Sequence, residues 1–241
     1  MTKKGIEGKS DRSKGVVRSF IESMPAADYV EMAVDAFVGS EALKDVPVVG
    51  SLMGVLEFRS RFKRRRFLKR VEKFYSEVSD LSSEELKDFD ESFESSEQSE
   101  EFVTDLIELI DRLENEQKAL MLAGAFKRLV RQDIDKSTFT DMSRVFDKVY
   151  NIDLFHFMHG YKNPHTFEDS LGDVLVSVRV CKRKIENSTR QTMMLDPSRV
   201  DSFIKVSYEV TGFGRLVLET LHEVYAEKID PEHLIRTEPG Q

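Results

Sequence analysis

The feature that most constrains this chain is a tract in which apolar and cationic residues share the period of a helix. Phe58, Phe62, Phe67, Leu68, Val71, Phe74, Tyr75 and Val78 recur at helical spacing, which predicts one apolar stripe. The positions between them hold Arg59, Arg61, Lys63, Arg64, Arg65, Arg66, Lys69, Arg70 and Lys73. Charge of one sign at that density has to be solvated or paired, because burying it unpaired is prohibitive. The tract therefore predicts an amphipathic helix whose aromatic side enters a core and whose Arg/Lys side is a candidate binding surface.

The flanks sharpen this expectation. Upstream, Val46 to Leu56 is uncharged and opens at Pro47, which forces extended geometry on the residue before it. Gly50 and Gly54, four apart, would share a helix face and permit close approach of another helix in a soluble core, or of a lipid surface. The run falls short of the roughly 18 to 20 apolar residues a spanning helix needs. Downstream, Asp80 to Glu116 is strongly acidic. Three partners thus compete for the basic side. The acidic stretch, including Glu84, Glu85, Asp88, Asp90, Glu91 and Glu94, could fold back on it; a protein partner would use the same charge. Anionic lipid would gain roughly 1 kcal/mol per basic residue. Nucleic-acid phosphate is the third.

The remaining pattern is mainly helical. The start, residues 1–15, reads as a charged, Gly/Ser-rich tail without the apolar core of a secretory signal. Val17, Phe20, Ile21 and Met24 predict a short helix ended by Pro25, and a second spans Ala26 to Phe37. Ser82 with Glu85 three residues on predicts a capping box for a helix reaching Phe93. The sequence ESSEQSEEF reads as a loop before a helix from Glu100 to Leu113. Helices over Asn115–Arg131 and Thr138–Tyr150 follow, the latter entered by a turn at Asp133–Ser137. Each is expected to show an apolar stripe and a charged outer face, as in a multi-helix bundle over residues 16–136.

After Tyr150 the texture changes. An aromatic helix and a loop broken by Gly160 and Pro164 precede a helix from Phe167 to Val178, with Thr166 as its expected N-cap. Arg179–Glu186 and Phe203–Val210 read as strands joined by a long hairpin loop, and Thr211 caps a last helix to Ile229. This order predicts a small winged-helix-like α+β unit over residues 137–229, followed by a frayed tail at 230–241. The fold class is therefore mostly α. Wing residues Lys182, Arg183, Lys184 and Arg190, with Lys205, could contact a nucleic-acid backbone. The helix that would enter a groove dissents, since Glu168, Asp169 and Asp173 give it the wrong sign for DNA.

No enzymatic motif is legible: there is no phosphate-binding Gly loop, nucleophile elbow, zinc-protease helix or dinucleotide fingerprint. Asp153, His156 and His159 have metal-ligand spacing on a helix, but no third strong ligand follows at a recognised interval, so neither a metal nor a cofactor is expected. Cys181 is the only cysteine, which excludes an intrachain disulfide. A net charge of −8 argues against coating nucleic acid over the whole surface.

Through PVVGSLMG, the turn Arg59–Phe62, FLKRVEKFY and LIDRLENEQKALMLAGAFKRLV, the block Val46–Val149 resembles small bacterial helical proteins of the abortive-infection alpha type, associated with phage defence. The resemblance implies a helical region followed by a winged-helix-like unit, and it carries no catalytic residue. The expected function is a non-enzymatic cytoplasmic interaction protein, peripheral to the membrane or soluble, acting through a protein partner or the membrane surface. The alternative is a DNA-binding regulator using the basic helix and the wing. The oligomeric state is open.

Overall fold

The computed structural model describes residues 15–23, 61–168, 170–191 and 200–229. The expected tails, the second short helix, the apolar run with Gly50 and Gly54, and the hairpin tip lie outside them. Two compact units divide the chain, Met1–Asp147 and Lys148–Gln241. The first is a helical bundle, and the second combines helices with a two-stranded antiparallel sheet.

The first unit holds α1 (Val16–Ser23), α2 (Arg61–Val78), α3 (Ser83–Glu91), α4 (Ser96–Arg112), α5 (Glu116–Val130) and α6 (Lys136–Lys148). The helix α5 lies at its centre, with eleven of its fifteen residues buried. It does not have the one-sided stripe expected of every helix, because α2 and α3 both pack against it and Phe126 reaches Phe102 of α4. Its Ala and Gly positions admit these close neighbours. A continuous aromatic core joins Phe74, Phe89, Phe93, Phe102, Phe126 and Phe139, with ring centroids 5.2 to 6.4 Å apart. Such offset and edge-on contacts add to the large apolar area that each ring buries.

Helix ends explain the boundaries. The capping box at Ser82 and Glu85 is present in full, so α3 starts where expected. By contrast, α4 begins inside the stretch expected to be a loop: Ser95 accepts from the Gln98 N–H and starts the helix at Ser96. Ser and Glu compose a good N-terminal turn as readily as a loop. Likewise, Asp135 accepts from the Thr138 N–H at 2.7 Å and starts α6 within the expected entry turn. After α5, Gln132 takes φ +63°, the Gln132 N–H donates to the Leu129 carbonyl and the Asp133 N–H to that of Arg128. This is a Schellman ending built without glycine.

The expected boundary at residues 136–137 precedes the observed division. Phe139 of α6 packs on Phe102 and Phe126, at 6.0 and 6.4 Å, and Lys118 of α5 donates to the Asp147 carbonyl at 3.1 Å. These contacts place α6 with the bundle rather than with the α+β unit.

The second unit contains α7 (Asn151–Gly160), a 3-10 turn at Pro164–Phe167, α8 (Leu171–Ser177), β1 (Cys181–Gln191), β2 (Val200–Val210) and α9 (Gly212–Val224), then a 3-10 turn at Ala226–Lys228. Its core gathers Leu154, Phe157, Met158, Phe167, Leu175, Val217, Leu218 and Leu221. The expected Phe167–Val178 helix is shorter, and Thr166 does not cap it. Pro164 and Asn163 instead set a 3-10 turn, and Glu168 is extended before α8. Arg179, expected in a strand, has φ +66° and closes α8 with a second Schellman pair, its N–H reaching Val176 and that of Val180 reaching Leu175. Both strands run further than expected, in a register of Cys181 opposite Val210 through Gln191 opposite Val200. Thr211 caps α9 as expected by accepting from the Gly214 N–H. Glycine is required at 214, where a β-carbon would collide with the Val180 carbonyl.

Candidate interaction surface

The basic tract becomes α2, and Phe67, Val71, Phe74 and Val78 face the core. Of its expected binding residues, Lys63, Arg65, Arg66 and Lys69 are exposed, as is Lys73. Arg65, Lys69 and Lys73 stand at four-residue intervals, so they form one row along the helix. Arg59 and the side chains of Arg61 and Arg64 lie outside the described residues.

Arg70 corrects the sequence expectation. It is 6 % exposed, with Nε donating to the Ile110 carbonyl at 2.9 Å and Nη2 to the Asp111 carbonyl at 2.8 Å. Nη2 also pairs with the Asp111 carboxylate at 3.2 Å. Arg66 donates to the Glu114 carbonyl at 2.9 Å. Both guanidinium groups therefore meet the C-terminal end of α4 and the turn after it, where carbonyls lack helical donors and the dipole favours a cation. Arg70 is a structural cap rather than a binding group.

Besides Asp111, which meets Arg70, several residues of the acidic stretch pair away from α2. Asp80 pairs with Lys127 at 3.0 Å and with Arg131 at 3.5 Å, while Glu85 pairs with Arg131 at 2.9 Å. Glu77 also reaches Lys127, at 3.2 Å. Asp90 serves a different helix: its two oxygens accept from the Val17 and Arg18 N–H groups at 2.9 and 3.0 Å, supplying the start of α1 with acceptors. The Ser82 backbone N–H, the Ser82 hydroxyl and Arg131 hold the Glu85 carboxyl down at about 2.

Lys182, Arg183 and Lys184, expected as wing cations, are engaged within their own unit. Lys182 meets Glu209 at 3.0 Å, and Lys184 meets Glu186 at 2.8 Å. Arg183 meets Asp173 at 2.5 Å, and the Tyr208 hydroxyl donates to the same carboxylate at 2.6 Å. The side chain of Arg190 lies outside the described residues. Sequence reading missed this neutralisation because Glu209 reaches Lys182 only through the hairpin register and Asp173 reaches Arg183 only when α8 meets β1, while Glu186 lies two residues from Lys184 on the same strand face.

Among the described residues, no group of three or more His, Cys, Asp or Glu side chains could hold a metal ion. His156 and His159 are exposed. His222, which the sequence reading did not single out, is buried and hydrogen-bonded through Nε2 to the Met158 carbonyl at 3.0 Å; burial pushes its pKa down, against a smaller upward effect of that bond. Burial pushes the Cys181 thiol up to about 12, which removes thiolate character at neutral pH. Among the described residues, no helix is long and apolar enough to cross a membrane. Compared with family models, curated proteins and solved structures, the chain matches none.

Proposed function

We propose that the protein is a non-enzymatic interaction protein whose α2 surface docks an acidic patch on a partner protein, in a role of the phage-defence type implied by the abortive-infection resemblance. The observation that carries this reading is the exposed basic side of α2, with Lys63, Lys69 and Lys73, on a helix whose other side is locked into the core. Like charges at four-residue intervals cost a helix a few tenths of a kcal/mol per pair, and an acidic partner relieves that repulsion. The proposed location is the cytoplasm, with an anionic membrane surface as the competing partner for the same row.

The winged-helix reading of the second unit supports DNA binding less well. Its groove-entering helix would be α8, where Asp173 is already committed to Arg183 and Tyr208. Lys182 and Lys184 likewise face carboxylates.

The test is a triple reversal, Lys63→Glu, Lys69→Glu and Lys73→Glu, which leaves both α4 caps in place. Binding is measured to an acidic polypeptide probe, to phosphatidylserine-containing vesicles and to duplex DNA, at low and moderate salt. Native protein is expected to retain the acidic polypeptide at low salt and to lose it as salt rises, with binding weakened at least about tenfold in the variant. Tight duplex binding with a steep salt slope and no capture of the polypeptide would overturn the reading.

A further inference from the structure

The helix α1 does not supply its own start. It follows Gly15, at φ +115°, which has no side chain to accept from the first turn. The acceptors come from α3 instead. The Asp90 carboxylate takes the Val17 and Arg18 N–H groups, and the buried Ser99 of α4 donates to that carboxylate at 3.2 Å.

The apolar side of α1 is equally dependent on its neighbours. Val17, Phe20 and Ile21, at three- and four-residue steps, are 0, 3 and 4 % exposed, and α1 packs on α3 and α4. At its other end the Ser83 hydroxyl of α3 donates to the Glu22 carboxylate at 3.0 Å. A helix of eight residues is unstable alone in water, so α1 takes its shape from the seat that α3 and α4 form. An amphipathic helix is recognised in a groove by the same means, through apolar anchors at this spacing. Here a carboxylate at the helix start adds a polar contact that the dipole favours.

We infer that the seat formed by α3 and α4 is a helix-docking site, that α1 is its tethered ligand, and that α1 of a second copy takes the same seat in an exchanged dimer. The occupant follows from the chemistry of the seat. It fits a helix with Val, Phe and Ile at those steps and a first turn without its own cap, and every copy carries one. Residues 24–60 lie between Ser23 and Arg61, and a chain of that length spans up to about 120 Å, enough to reach a neighbouring copy. Exchange about a twofold axis keeps every contact of α1 and is a low-cost route to a dimer. The tether favours each chain's own α1, so the exchanged form gains where a chain's own helix or seat is damaged.

Three measurements on the full chain test this, and the first needs no variant. In native protein, amide exchange at residues 19–23 is expected to be at least about tenfold faster than through α5, because α1 leaves its seat without global unfolding. A labelled peptide of residues 13–25 is expected to bind the Phe20→Asp chain, whose seat is empty. Native protein, and a chain carrying both Phe20→Asp and Asp90→Lys, are expected to bind it at least about tenfold more weakly. The single variants Phe20→Asp and Asp90→Lys are each expected to sediment as monomers and their equal mixture at about 100 µM to contain heterodimer. One brings an empty seat and the other an intact α1 driven from its own. Exchange of α1 only together with α5, equal peptide binding by the three chains, no binding to the Phe20→Asp chain up to about 1 mM peptide, or a mixture that stays monomeric overturns the inference.

Discussion

Two neighbouring cations on α2 have opposite fates. Lys69 is exposed, whereas Arg70 is buried and donates to the Ile110 and Asp111 carbonyls at the end of α4. The sequence held a signal for the difference: Arg70 stands three residues after Phe67 and four before Phe74, on the side that enters the core. What it lacked was the acceptor, since α4 comes beside α2 only after folding. Removing the guanidinium would leave helix-end carbonyls and the Asp111 carboxylate in a part-buried site without their donors. Arg70→Ala is therefore expected to cost about 3 kcal/mol, against about 0.5 kcal/mol or less for Lys69→Ala. Urea unfolding of both variants, compared at unchanged slope, measures this. Equal midpoints would return Arg70 to the solvated face.

Helix starts were legible where one side chain announces them and obscure where composition serves two structures. Ser82 and Glu85 carry a reciprocal signature, and α3 begins there. Ser95 stands in a Ser/Glu-rich run that reads as a loop, yet it caps α4. Strand alternation was legible too, but not which face is covered, because cover depends on elements remote in sequence. The capping box also makes a pH-dependent contribution. Glu85 has a folded value of about 2 against an ordinary 4.5, because the charged carboxylate accepts from Ser82 and pairs with Arg131. Above pH 4.5 that stabilisation is fully present, and it is lost as pH falls towards 2. Solvent exposure limits its size, so Glu85→Gln is expected to cost about 1 kcal/mol at neutral pH. The gap between variant and native protein should close on acidification through that window. A gap that stays constant in urea titrations down to pH 3 would show that the charge contributes nothing beyond the amide.

Each compact unit has a core of its own, and this sets how the molecule as a whole responds to damage. In the bundle, Phe126 is 0 % exposed and touches the rings of Phe74, Phe89, Phe102 and Phe139. The apolar periodicity predicted most of these positions. It did not predict that α5 would be enclosed on several sides, since a stripe is a property of one helix and enclosure a property of the assembly. In the second unit, Leu154, Phe157, Leu218 and Leu221 form a separate buried set. Truncating Phe126 to Ala deletes a ring from the junction of five helices, at a typical cost of about 3 to 5 kcal/mol, comparable with the lower range of a domain's net stability. Amide hydrogen exchange should then show protection lost through α2, α4 and α5, while α7 and α9 keep the protection they have in the native protein. Leu221→Ala should produce the reciprocal pattern. Simultaneous loss of protection in both units of either variant would mean that they unfold as one cooperative block.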